Sequence, residues 1–107
     1  MDLEPSRAEI DALPGTTLLE VGSADCPICQ AARPLLDELV HDMPGVRYVR
    51  VEDGKGRELG RSFHVKQWPT LIVVQDGREL ARVVRPTNPS DLQPLIAAAE
   101  PHAAGGS

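Results

Sequence analysis

The stretch from Pro27 to Met43 constrains this chain most. Ile28, Ala32, Leu35, Leu36, Leu39, Val40 and Met43 recur at spacings of three and four, the period of one helix face. A strand is read on each side of it, the buried run Thr17 to Val21 before and Val46 to Val51 after. Strand, helix and strand in that order predict a parallel βαβ unit with a right-handed crossover. Pro27 suits the first helical position, where a missing N–H costs nothing. Pro34 falls inside the helix, removes one hydrogen bond and is expected to kink the axis. Pro44-Gly45 stops it.

The second half of the chain reads differently. Thr70 to Gln75 is strongly apolar, and Arg78 to Val84 follows it after Asp76-Gly77. That dipeptide between two runs is a hairpin signal, so these strands pair antiparallel. A short helix is expected over Ser6 to Leu13, with Ser6 and Glu9 spaced as a capping box and Leu3, Ile10 and Leu13 as its apolar face. Another is expected over Arg57 to Phe63. A last helix runs to about Ala99 on a stripe of Leu92, Leu95, Ile96 and Ala99. Its start is open between a cap at Ser90 and one at Asn88, which would push Pro94 further into the helix. The fold class is α/β, a mixed four-stranded sheet with helices on both faces. One domain is expected over residues 1–100, with a flexible C-terminal tail at 101–107.

Composition excludes several function classes. The 107 residues are 41% hydrophobic, too apolar for a wholly disordered chain. A net charge of −5 gives no basic footprint for nucleic acid. The apolar runs are too short to span a membrane. Met1 to Pro5 carries two acids and no apolar core of a secretory signal. A cytoplasmic, reducing compartment and a monomer are therefore expected.

The chain has two cysteines, in Cys26-Pro27-Ile28-Cys29. They stand where the first strand hands over to the long helix. Cys26 would be the N-cap, where free N–H groups and the helix dipole favour an anion. A thiolate is the nucleophile of disulfide exchange, so this placement makes Cys26 the attacking thiol. Cys29, one turn on, is placed to resolve a mixed disulfide. Two other readings exist, an inert buried pair and half a zinc site. Zinc needs a full ligand set, and His41, His64 and His102 lack the required spacing, so no metal is expected.

These residues resemble the thioredoxin superfamily. Besides the CPIC sequence, Pro34 lies five residues after Cys29, where the family has its helix-kinking proline. Trp68-Pro69-Thr70 matches the family's cis-proline site, Glu20 stands six residues before Cys26 where thioredoxins carry a buried acid, and Asp76-Gly77-Arg78-Glu79 matches the last turn. The resemblance covers roughly Thr17 to Ala99. It implies a thioredoxin-like fold and a redox-active Cys26–Cys29 disulfide with no other cofactor. The implied partners are disulfide-bearing proteins and an electron donor of unknown identity.

By the same resemblance Pro69 sits beside Cys26, and the Trp68 backbone pairs with an extended substrate. Read on their own, Trp68 is also compatible with a core aromatic and Pro69 with an edge-strand entry. Glu20, desolvated in an apolar strand, is expected to titrate near neutrality and relay a proton to or from Cys29. Its replacement by Ala should then slow resolution and raise stability. A solvent-facing Glu on an edge strand is the plainer alternative.

The chain also departs from the family pattern. Asp25 replaces the aromatic before the first cysteine, and as a like charge it should raise the Cys26 pKa. Pro27-Ile28 fills the active-site loop in a more glutaredoxin-like way. Arg85-Pro86-Thr87-Asn88 stands where glutaredoxins have Gly-Gly and thioredoxins a glycine after the last strand. The expected function is a thiol–disulfide oxidoreductase that reduces or exchanges protein disulfides. The competing reading is a binding or assembly chaperone, or a redox sensor, with a narrow partner set.

Overall fold

The computed structural model describes residues 5–99. Leu3, expected on the first helix, and the tail at 101–107 lie outside them. In chain order the elements are α1 (Arg7–Ala12), β1 (Thr16–Gly22), α2 (Pro27–His41), β2 (Arg47–Glu52), α3 (Leu59–Ser62), β3 (Thr70–Gln75) and β4 (Arg78–Val84). A 3-10 turn (Pro89–Leu92) then leads into α4 (Gln93–Ala99).

The sheet order is β2-β1-β3-β4. β1 and β2 are parallel, while β1–β3 and β3–β4 are antiparallel. This is the expected mixed four-stranded sheet. Alternation along β1 and β3 sends side chains to two cores. Leu18, Leu71 and Val73 pack under α2 and α4 with Ala32, Leu36, Leu39, Leu92 and Leu95. Leu19, Val21, Ile72 and Val74 pack on the other face with Ile10 of α1 and with Leu59 and Phe63. Each such side chain removed from water contributes about 1.5–3 kcal/mol, so the two central strands anchor both layers.

Local chemistry explains the ends. Ser6 and Glu9 form the capping box of α1. α2 passes through Pro34 without interruption and stops at His41 rather than Met43. Its last turn tightens, with the Met43 N–H bonded to the Val40 carbonyl at 3.1 Å. α3 is a single turn, shorter than expected, because Gly54 and Gly56 take positive φ and keep the approach as a turn. The last helix resolves its ambiguous start by splitting. Asn88 caps the 3-10 turn, and Pro94 then falls in the first turn of α4, where its missing N–H is harmless.

Candidate active site

The site forms where β1 ends, α2 begins and β3 begins. Cys26 is the N-cap of α2, and its sulfur accepts the Cys29 N–H at 3.2 Å. Pro27 follows at the first helical position. Both thiols are free. Both are largely buried, at 8% and 6% exposure, while Ile28 between them is 42% exposed. The loop leading in is pinned by its backbone. The Cys26 N–H donates to the Ser23 carbonyl at 3.1 Å, and the Gln30 side chain to the Ala24 carbonyl at 3.0 Å.

The two sulfurs are electrostatically unequal. Burial pushes the Cys26 thiol up, but hydrogen bonds from Cys29 and Ile28 and the charge of Arg85 outweigh it. Its pKa therefore lies below the ordinary 9.0. Burial, the hydrogen bond to Cys26, and the charges of Cys26 and Glu20 push the Cys29 thiol up to about 11. Asp25 was expected to raise Cys26. It is exposed, with its N–H on the Ser23 hydroxyl, and the helix-end donors with Arg85 win instead.

Glu20 is buried in β1, at 4% exposure, on the face toward α2. Its carboxylate is not left unpaired. Arg33 of α2 donates to one oxygen and the Tyr48 hydroxyl of β2 to the other. Arg33 also donates to the Tyr48 oxygen at 3.1 Å, and Arg50 stands 3.9 Å from the carboxylate. Burial lowers the Arg33 pKa, but Tyr48 and Glu20 outweigh it and hold the guanidinium protonated. Burial and the bond to Glu20 push Tyr48 up to about 12. The expectation that losing Glu20 raises stability assumed an uncompensated charge. With this cluster in place, removal strips two neighbours of their partner instead.

Trp68 is half-buried and Pro69 buried, joined by a cis peptide bond at the start of β3. The Trp68 indole N–H donates to Asp53 at 2.9 Å. Its carbonyl accepts from Arg85 at 3.0 Å.

The structure thus brings Cys29 and Pro69 together at Gly22, with Cys26 bonded to the Cys29 N–H, the Glu20 charge felt at Cys29 and the Trp68 indole turned to Asp53. Sequence reasoning missed five contributors. Gly22 leaves room for the Cys29 sulfur, Arg33 and Tyr48 hold Glu20, Asp53 holds Trp68, and Arg85 acts on Cys26. The position of Arg33, four residues after Cys29 and so on the same helix face, is the one signal in the sequence, and its equal spacing from Asp37 leaves it ambiguous. Among the described residues no group of three His, Cys, Asp or Glu side chains is placed to hold a metal.

The family model described as thioredoxin matches residues 6–98. The chain belongs to the thioredoxin family. Its fold is similar to the reduced form of thioredoxin 2 from Pseudomonas aeruginosa, at 52% identity and a TM-score of 0.79, over 90% of this chain and 89% of that one. Thioredoxin from Chlamydia pneumoniae is 30% identical over 65% of this chain and 69% of that protein. Thioredoxin-2 from Pyricularia oryzae is 32% identical over 71% of this chain. This chain spans only 44% of the length of that fungal thioredoxin. Among the described residues of this chain, no helix is long and apolar enough to cross a membrane.

Proposed function

We propose that the chain is a dithiol–disulfide oxidoreductase working through Cys26 and Cys29 on protein disulfides. The observation that carries this is the N-cap sulfur of Cys26, held by the Cys29 N–H at 3.2 Å with its partner thiol one turn away. The family and the thioredoxin relatives support the same activity.

The Cys26 thiolate attacks one sulfur of a substrate disulfide and releases the other as a thiolate. Cys29 then loses its proton and attacks Cys26. The Cys26–Cys29 disulfide forms and the second substrate sulfur leaves. Two electrons have passed from the dithiol to the substrate. The raised pKa of Cys29 keeps it protonated, and hence unreactive, while Cys26 attacks. Glu20, whose charge is felt at Cys29, is the proposed acceptor of its proton. A carboxylate has lone pairs beyond those that Arg33 and Tyr48 engage. The exposed Ile28 and Val84 offer apolar footing for a substrate segment near Trp68 and Pro69, Val84 pairing with Thr70 next to Pro69.

A thiol reductant must restore the dithiol, and no bound cofactor enters the cycle. Work in the cytosol as a monomer belongs to this proposal. The compartment is supported by a pair of cysteines that are both at the site, with none left for a structural staple.

The test is reduction of insulin by dithiothreitol with and without the protein, and trapping with Cys29→Ser. The wild type should accelerate reduction, Cys29→Ser should accumulate a mixed disulfide through Cys26, and Cys26→Ser should do neither. Equal rates for wild type and Cys26→Ser would remove the proposal.

A further inference from the structure

Arg85 stands immediately after β4, in the position where the family resemblance places a glycine. Its φ of 53° is left-handed, a conformation that disfavours a side chain. The site holds it there twice. Its backbone N–H donates to the Pro69 carbonyl at 2.9 Å, and its Nε donates to the Trp68 carbonyl at 3.0 Å. A strained residue fixed in this way beside reactive groups points to a functional constraint.

The side chain is exposed, and its charge is felt at Cys26. A guanidinium has five N–H donors in a rigid fork. One is spent on Trp68. No acceptor among the described residues takes the terminal pairs, and these match a carboxylate. Of the acids of this region, Glu52 accepts the Ala24 N–H at 3.2 Å and Asp53 accepts the Trp68 indole N–H at 2.9 Å, and neither they nor Asp25 pair with Arg85, which bonds the Trp68 carbonyl. A partner crossing beside Pro69 therefore meets a guanidinium whose terminal N–H groups are not engaged among the described residues.

We propose that Arg85 is a specificity-determining residue that selects disulfide partners carrying a carboxylate beside the sulfur attacked by Cys26. This rests on the oxidoreductase reading above. It also revises the expected use of Trp68, whose carbonyl is already partly engaged by the chain itself.

The experiment uses the full chain, reduced beforehand and freed of reductant. It reacts with three dialkyl disulfides: anionic dithiodipropionate, neutral bis(2-hydroxyethyl) disulfide and cationic cystamine. In each case the protein dithiol is oxidised and the small disulfide becomes two thiols. Rates are compared as ratios to the neutral compound within each variant, so any change in Cys26 reactivity cancels. Arg85→Gly suits the left-handed φ and removes the charge. Wild type should show an anionic-to-neutral ratio about three to five times that of Arg85→Gly, the size of one exposed ion pair. The cationic-to-neutral ratio should move the opposite way, and added salt should shrink both differences. Arg85→Lys should keep part of the preference. Equal ratios in wild type and Arg85→Gly would overturn the assignment while leaving the oxidoreductase intact. Failure of the wild type to react with the neutral compound would remove both readings.

Discussion

A Cβ on Gly22 would stand 2.8 Å from the sulfur of Cys29. The end of β1 is thus shaped around the second thiol. Replacement by Ala must move Cys29 or the first turn of α2, at an overpacking cost of about 1–3 kcal/mol. Gly22→Ala should let Cys26 form mixed disulfides yet delay their resolution. Quenched-flow mass spectrometry would show the mixed species lasting longer than in wild type.

The two members of the Glu20–Arg33 pair should not be equally costly to lose. The Glu20 side chain is 4% exposed and that of Arg33 26%. Arg33→Ala leaves a carboxylate buried with less compensation, and should cost about 2–3 kcal/mol. Glu20→Ala leaves a guanidinium that can turn toward water, and should cost less. Urea denaturation of both variants checks the order.

Reactivity should split by pH. The Cys26 pKa lies below the ordinary 9.0 and that of Cys29 near 11. Iodoacetamide at neutral pH should therefore modify Cys26 alone, and Cys29 should follow only in strongly alkaline solution. Peptide mapping after alkylation across the range reads both steps.

The same inequality predicts a stability profile. A thiol raised in the folded state keeps its proton longer than in the unfolded chain. Stability is thus full below the unfolded value of 9.0 and falls as pH rises toward about 11, by roughly 2 kcal/mol. Cys26, lowered by folding, acts oppositely and adds stability as pH rises toward 9.0. Tyr48, raised to about 12, titrates in both redox forms. Subtracting the profile of the disulfide form from that of the dithiol form should leave the two cysteine effects alone.

Gly60 supports the far flank of the site. A Cβ there would lie 2.7 Å from the Asp53 carboxylate and 3.0 Å from Val21. Gly60→Ala should displace Asp53 and loosen its bond to the Trp68 indole. Trp68 is the sole tryptophan, so a shift in its emission spectrum reports the change directly.

The elements that proved legible are those whose signal is local. The helical period of Pro27 to His41, the Asp76-Gly77 turn and the N-terminal place of Cys26 each declare themselves within a few residues. Glu20 could be read as buried from its apolar neighbours. Its compensation could not, because Arg33 lies four residues from Asp37 as well as from Cys29. Such a helix position resembles an ordinary solvated i, i+4 pair. Tyr48 joins Glu20 only through the register that sets Leu18 against Tyr48. Asp53 and Arg85 reach Trp68 across the fold, and their roles depend on loop geometry that periodicity does not carry.

The order β2-β1-β3-β4 puts both strands that lead into the site at the centre of the sheet. Each is bonded along both edges, so its amides should exchange with solvent only in large openings. β2 and β4 have a neighbour on one side and can breathe separately. The first turn of α2 and Pro69 thereby adjoin the two inner strands, while Arg85 follows an outer strand and is tied back to the inner one through the Pro69 carbonyl.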